Sequence, residues 1–170
     1  KAIEHRIEVA QTKLIVTNTE QRAKLNNLKV QHILTVGQVD VMPNSIATEA
    51  DFWTVMAQQS VHCDAEMQSF DDYFLMMFTS GTTGLAKSVP VPLKAMLAFK
   101  GYMTHAVDLR EEDSFWNLAD PGWAYGLYYG ITGPLSLGHS IIMDERAFSV
   151  DNALQIIQKY KVSNLTGSPT

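Results

Sequence analysis

Thr79-Ser80-Gly81-Thr82-Thr83-Gly84-Leu85-Ala86-Lys87-Ser88 packs five hydroxyls, two glycines and one lysine into ten residues. Glycine lets backbone N–H groups turn toward an anion with no Cβ in the way. The hydroxyls add donors, and Lys87 adds a mobile point charge. The stretch follows Tyr73-Phe74-Leu75-Met76-Met77-Phe78, an apolar run that reads as a strand buried on both faces. It leads into Val89-Pro90-Val91-Pro92, which proline chemistry holds extended. A loop of this make-up directly after a buried strand is built to cradle phosphate.

Two kinds of phosphate loop fit in part. The Walker A pattern is glycine, four residues, then Gly-Lys-Ser/Thr. From Gly81 the spacing is right, but Ala86 stands where the second glycine belongs. A Walker loop also opens a helix at its lysine, and that helix N-terminus holds the phosphates. Pro90 and Pro92 would fall in the first turns of such a helix, at ~3 kcal/mol for an interior proline. The spacing therefore predicts a loop that runs strand to strand. A Walker-type NTPase remains the alternative, decided by whether residues 85–91 are helical or extended.

Outward from the loop the chain alternates. Strands are predicted at Lys13–Thr17, His32–Val36, Phe115–Leu118, Ser140–Met143 and Val162–Thr166. Helices are predicted at Thr19–Leu28, at Leu93–Val107 (with Leu93, Met96, Leu97 and Lys100 on one face) and from a Ser149 cap to Tyr160. In that last helix Val150, Leu154, Ile157 and Tyr160 are expected to face inward. Thr48 with Asp51 three residues later is read as a capping box opening a helix that contains Phe52, Val55 and Met56. Pro43-Asn44-Ser45 and Gln59–Gln68 read as loops. Gly122–Leu137 is aromatic and glycine-rich, a buried helix with close backbone contacts. This alternation predicts an α/β fold, a layered sheet with flanking helices.

Composition narrows the function. At 46% apolar, the 170 residues can bury a core. Thirteen basic against 18 acidic residues give a net charge of −5, which argues against the basic face that nucleic acid or an anionic membrane would need. The longest apolar run, Tyr73–Phe78, cannot span a bilayer. A single cysteine, Cys63, excludes an internal disulfide and a multi-cysteine metal site, so a cytoplasmic, reducing compartment is expected. The chain opens on lysine, with Ile3 and Ile7 at helical spacing and no cap before them. It closes at Ser168-Pro169-Thr170 straight after a strand-like run. Both ends read as cut from a longer enzyme.

The residues Phe78, Thr79, Ser80, Gly81, Thr82, Thr83, Gly84 and Lys87 resemble the phosphate-loop signature of the adenylate-forming superfamily. That pattern is aromatic-Thr-Ser-Gly-Thr-Thr-Gly-x-Pro-Lys-Gly; Ala86 and Ser88 depart from its proline and final glycine. The likeness continues on both sides. Asp71-Asp72 resembles the family's acidic lead-in. Asp120-Pro121-Gly122-Trp123, Gly133-Pro134-Leu135 and Gly138 resemble a segment of acetyl- and medium-chain acyl-CoA synthetases. Leu165–Thr170 is similar to the strand end before the adenine-binding motifs.

The resemblance implies that residues 1–170 are part of the large N-terminal AMP-binding domain, with the catalytic lysine on a C-terminal domain outside this sequence. It implies ATP, Mg2+ and CoA as cofactors and substrates, and a short- or medium-chain carboxylic acid as partner. Thr79, Ser80, Gly81, Thr82, Thr83, Gly84 and Lys87 would bind ATP, with bracing of the loop as the alternative role for Thr79. Trp123, Ala124, Tyr125 and Gly126 would lie beside the acyl pocket and CoA channel. The residues themselves leave a second reading open, in which Trp123, Tyr125, Tyr128 and Tyr129 are aromatic core. Asp120 is expected to hold the turn. No catalytic residue and no metal ligand is expected in this chain, and the isolated 170 residues are expected to be inactive. A truncated, non-catalytic nucleotide-binding paralogue is the other alternative. His62-Cys63-Asp64 with Glu66 lies in an irregular polar stretch and is not read as a metal site.

Overall fold

A computed structural model describes residues 2–37, 48–80 and 84–167. They fall into two compact units, one from residues 1–68 and 73–91, the other from 69–72 and 92–170.

The first unit holds a three-stranded parallel sheet, ordered β1 (Leu14–Asn18), β2 (His32–Val36), β3 (Thr48–Asp51). Ile15 pairs with Ile33 and Thr35 with Asp51. β2 is the central strand, which is why its Ile33 and Thr35 are both fully buried. Leu25, Val30 and Ile33 form the core of this unit, joined by Ile3, Ile15 and Leu28. Helix α1 (Ala2–Val9) precedes the sheet, with Ile3 and Ile7 half-buried.

The helix expected over residues 19–28 is shorter. It is one turn, α2 (Thr19–Arg22), tightening into a 3-10 turn at Ala23–Leu25. Asn18 caps it, accepting from Gln21 N at 2.9 Å. Asn26 then turns extended and Asn27 adopts φ 66°, a left-handed conformation asparagine tolerates. Thr48 is a correction of another kind. It begins β3, and the cap of α3 (Phe52–Ala57) is Asp51, whose Oδ1 accepts from Thr54 N at 2.7 Å. The strand occupies the position expected for the cap, so the true cap falls three residues later. The expected loop at residues 43–45 lies outside the described residues.

β4 (Tyr73–Thr79) pairs with β5 (Lys87–Pro92) in a two-stranded sheet. The expectation of burial on both faces is not met. Tyr73 is 67% exposed and residues 75–78 are half-buried, because among the described residues only β5 flanks the strand.

In the second unit, α4 (Ala95–His105) buries Phe99 and Met103. The predicted stripe is rotated outward, with Leu97 65% exposed. An aromatic layer explains the rotation. Phe99 stacks on Tyr128 at 4.6 Å and Tyr102 on Tyr129 at 4.0 Å between centroids, and these contacts outweigh the smaller stripe. Both partners lie on a π-helix (Gly126–Thr132) that runs into α5 (Gly133–Ser136).

β6 (Phe115–Asn117) pairs in parallel with β7 (Asn164–Thr166). The strand expected at residues 140–143 is reduced to one parallel bridge between Ile142 and Trp116. Helix α6 (Val150–Tyr160) starts where expected, with Ser149 Oγ accepting from Asn152 N at 3.2 Å. Its buried residue is Ile156; Ile157 is half-buried, while Val150, Leu154 and Tyr160 are exposed. The helix carries apolar residues on two faces, and spacing alone does not say which is covered.

Candidate functional site

The glycine-threonine loop leaves β4 at Thr79 and rejoins regular structure at Lys87, the first residue of β5. Thr79, Ser80 and Lys87 are exposed, so their polar ends can reach a ligand. Gly81, Thr82 and Thr83 lie outside the described residues. Gly84 has φ +87°, a conformation that a side chain would strain, and no heavy atom lies within 4 Å of where a Cβ would stand. Glycine is therefore required here by backbone angle alone. Residues 87–92 are extended, not helical. The helix N-terminus that a Walker loop needs is absent at this lysine, and that alternative falls. Pro90 and Pro92 sit inside β5, beside the buried Val91.

The loop's exit is held from α1. His5 Nε2 donates to the carbonyl oxygen of Ala86 at 2.9 Å. Nothing in the local sequence signals this contact. Asp71 and Asp72 turn to the start of α4 in the second unit. Asp71 pairs with Lys94 at 2.6 Å, Asp72 Oδ2 accepts from Ser69 N at 2.8 Å, and the Asp72 carbonyl accepts from Leu93 N at 2.8 Å. The acidic lead-in thus fixes the start of a helix.

The second candidate region lies in the other unit. Asp120 holds its turn as expected: Oδ1 accepts from Gly122 N at 2.7 Å, and its carbonyl accepts from Trp123 N at 3.0 Å. Gly126 closes the turn. A Cβ there would stand 2.3 Å from Asp120 O and 2.7 Å from Ala119 O, both backbone atoms. The four residues then divide. Trp123 (73% exposed) and Ala124 point to solvent. Tyr125 joins the aromatic layer, 5.4 Å from Tyr129 between centroids, and Gly126 is buried. Burial, and next in size the hydrogen bond that Tyr125 shares with Tyr102, pushes the Tyr125 phenol above its ordinary range; burial does the same to Tyr128. Both phenols stay neutral donors at physiological pH. Tyr128 and Tyr129 are half-buried and stack on the rings of α4, whereas Trp123, which the plainer sequence reading also placed in the core, is exposed.

Beside this turn opens a cleft of ≈ 1000 Å³. It is lined by Asn117, Gly126 and Gly130 together with residues 143–149 and the first turn of α6. It lies at the carboxyl ends of the parallel segments at Trp116 and Ile142, where open parallel sheets bind ligands. Gly130 keeps the cleft open, since a Cβ would meet the Asn117 side chain at 3.1 Å. Asn117 Oδ1 accepts from Ala119 N at 2.7 Å, while its buried Nδ2 has no partner among the described residues. Sequence reasoning missed the 143–149 lining. The spacing of Gly126 and Gly130 against the short strand was the available signal.

No three His, Cys, Asp or Glu side chains among the described residues gather into a metal-binding group. No described helix is long and apolar enough to cross a membrane.

The chain matches the AMP-binding enzyme family over residues 1–170. It is 30% identical to the acetyl-coenzyme A synthetase of Bacillus subtilis over 169 residues, 99% of this chain and 30% of that protein. Among solved structures, an acyl-CoA synthetase of Brucella canis superposes with a TM-score of 0.89 at 44% identity, over 99% of this chain and 30% of its own. An anthranilate CoA ligase in complex with anthranoyl-AMP has the same fold, with a TM-score of 0.80 at 22% identity over 96% of this chain and 32% of its own. The chain thus spans about a third of the length of these relatives.

Proposed function

The chain belongs to the AMP-binding enzyme family, and from that premise we propose that it forms part of the large N-terminal domain of an ATP-dependent acyl-CoA synthetase. The observation that carries this reading is the extended exit of the loop: Gly84 at positive φ, then Lys87 opening a strand and not a helix. The substrate proposed is a short- or medium-chain carboxylic acid. Its carboxylate attacks the α-phosphate of ATP, giving an acyl-adenylate and pyrophosphate; the thiol of CoA then attacks the acyl carbon, forming the thioester and releasing AMP.

In the first half-reaction negative charge grows on the departing pyrophosphate. Donors fixed at that place lower the barrier, because phosphoryl chemistry rests on positioning and electrostatics. Ser80, Thr82, Thr83 and Lys87 are proposed to bind the β- and γ-phosphates, with Gly81 and Gly84 offering backbone N–H groups and Thr79 bracing the loop. Trp123, Ala124, Tyr125 and Gly126 are proposed to serve the acyl and CoA side. The exposed faces of Trp123 and Ala124 support that role better than the layered Tyr125 does. Mg2+ would ride on the nucleotide phosphates, as it commonly does. A cytoplasmic setting is proposed from the lone, exposed Cys63. The 170 residues by themselves are proposed to lack synthetase activity.

The test is acid-dependent exchange of labelled pyrophosphate into ATP by the complete protein, with a panel of carboxylic acids. Lys87→Ala is expected to lower kcat/KM for ATP ~100-fold, the scale of one lost charged donor in such a site. Exchange that ignores the acid, or an unaffected Lys87→Ala variant, would overturn the assignment.

A further inference from the structure

His5 and Arg6 are neighbours on α1, yet their side chains reach opposite ends of the glycine-threonine loop. His5 Nε2 donates to the Ala86 carbonyl at 2.9 Å, across 81 residues of chain. Arg6 places its guanidinium over the ring of Phe78, with Cζ 5.8 Å from the centroid. Phe78 is the last residue but one of β4, and Ala86 immediately precedes β5. Two consecutive residues of one helix therefore hold both strands where the loop begins and ends.

We infer that α1 is the positioning element of the phosphate loop, and that His5 sets the peptide plane from which Lys87 departs. The Ala86 C=O and the Lys87 N–H belong to one rigid planar unit, so fixing the oxygen fixes the first bond of Lys87. Without that tether the segment is soft. Gly84 has φ +87° with open space around it, and Ala86 lacks the ring that would lock its own φ. A carbonyl only accepts, so the bond also places a proton on Nε2 of His5. His5 acts through the 86–87 peptide and not on nucleotide directly, which makes it a positioning residue. The inference rests on the reading of the loop as an ATP site.

The test compares two amides of different reach in the complete protein. His5→Gln can present its N–H near the position of Nε2; His5→Asn is too short. Hydrogen exchange of the amides of residues 86–89 reports on the tether without any assumption about chemistry. Exchange about fivefold faster in His5→Asn, with His5→Gln within about twofold of wild type, is expected for one lost hydrogen bond. In pyrophosphate exchange, His5→Asn should raise KM for ATP by a similar factor of about five while KM for the acid stays put, and His5→Gln should restore it. Unchanged amide exchange in His5→Asn, equal defects in the two variants, or a parallel rise in both KM values would overturn the inference. A wild-type protein with no acid-dependent exchange would sink the adenylation reading separately. The amide measurement would still decide whether His5 holds the loop.

Discussion

Gly126→Ala is the substitution whose cost the structure fixes most tightly. The new Cβ would lie 2.3 Å from Asp120 O, 2.5 Å from Asp120 C and 2.7 Å from Ala119 O. All three are backbone atoms, so no rotamer change relieves the clash; the turn or the π-helix has to move. The turn resists, because Asp120 is tied by its own side chain to Gly122 N and by its carbonyl to Trp123 N. The helix resists, because Tyr128 and Tyr129 are locked into the aromatic layer against Phe99 and Tyr102. Overpacking by one methyl costs ~1–3 kcal/mol, and with backbone on both sides the upper end, about 3 kcal/mol, is expected. Gly101 provides the control within the same unit. It sits inside α4 with nothing within 4 Å of where a Cβ would stand, so Gly101→Ala should stabilise by ~0.5–1 kcal/mol through helix propensity. Urea denaturation, followed by tryptophan fluorescence with the buried Trp116 as the main reporter, measures both. A Gly126→Ala midpoint within about 0.5 kcal/mol of wild type would mean that the turn and helix slide freely, and the packing argument would be wrong.

Three further substitutions test other parts of the frame. Arg22 and Glu49 form a buried pair, with Arg22 Nε donating to Glu49 Oε2 at 3.1 Å and Nη1 to Asn26 Oδ1 at 3.0 Å. Arg22→Met alone should cost ~3–5 kcal/mol by removing the buried cation that faces the carboxylate, and Arg22→Met with Glu49→Leu should recover most of it in the same urea titration. Thr35 is fully buried and its Oγ1 has no partner among the described residues, so Thr35→Val should be neutral or stabilising by about 1 kcal/mol. Asp113 is held below its ordinary 3.8 first by the Ser163 hydroxyl at 2.6 Å, then by Arg110 N at 2.9 Å. A depressed carboxyl contributes stability that is full above about pH 4 and drains away as pH falls through the folded value. Asp113→Asn should therefore be less stable than wild type at pH 7, with the gap closing as the pH falls below the ordinary carboxyl range in a series of urea midpoints.

The local parts of the fold were legible, and for a physical reason. β1, β2, β4 and β5 are short runs with strong preferences, and Pro90 and Pro92 exclude a helix at Lys87 whatever the tertiary context. The α6 cap was legible because Ser149 acts within three residues of itself. What failed was the choice among faces. Leu97, Val150, Leu154 and Tyr160 all satisfy helical spacing, yet they are exposed, because burial is decided by which neighbour arrives. In α4 that neighbour is a π-helix carrying two tyrosines, which no periodicity announces. β3 was overlooked because Thr48–Asp51 has no apolar character of its own and becomes a strand by pairing with β2.

The candidate site divides along the same line. Residue types identify what the loop can bind, since hydroxyls, glycines and a lysine at this density suit phosphate wherever they occur. They do not say where Lys87 points. That direction depends on the 86–87 peptide, and its tether lies 81 residues earlier on a helix of no distinctive sequence. Ala86 makes the dependence sharper: a residue with a free φ leaves the exit of the loop to be fixed from outside, whereas a proline there would restrict it from within. A motif match thus reports the chemistry available, and the long-range contact reports whether that chemistry is aimed. The two can be separated by substitution, because exchanging His5 is expected to change the aim and leaves every residue proposed to bind phosphate in place.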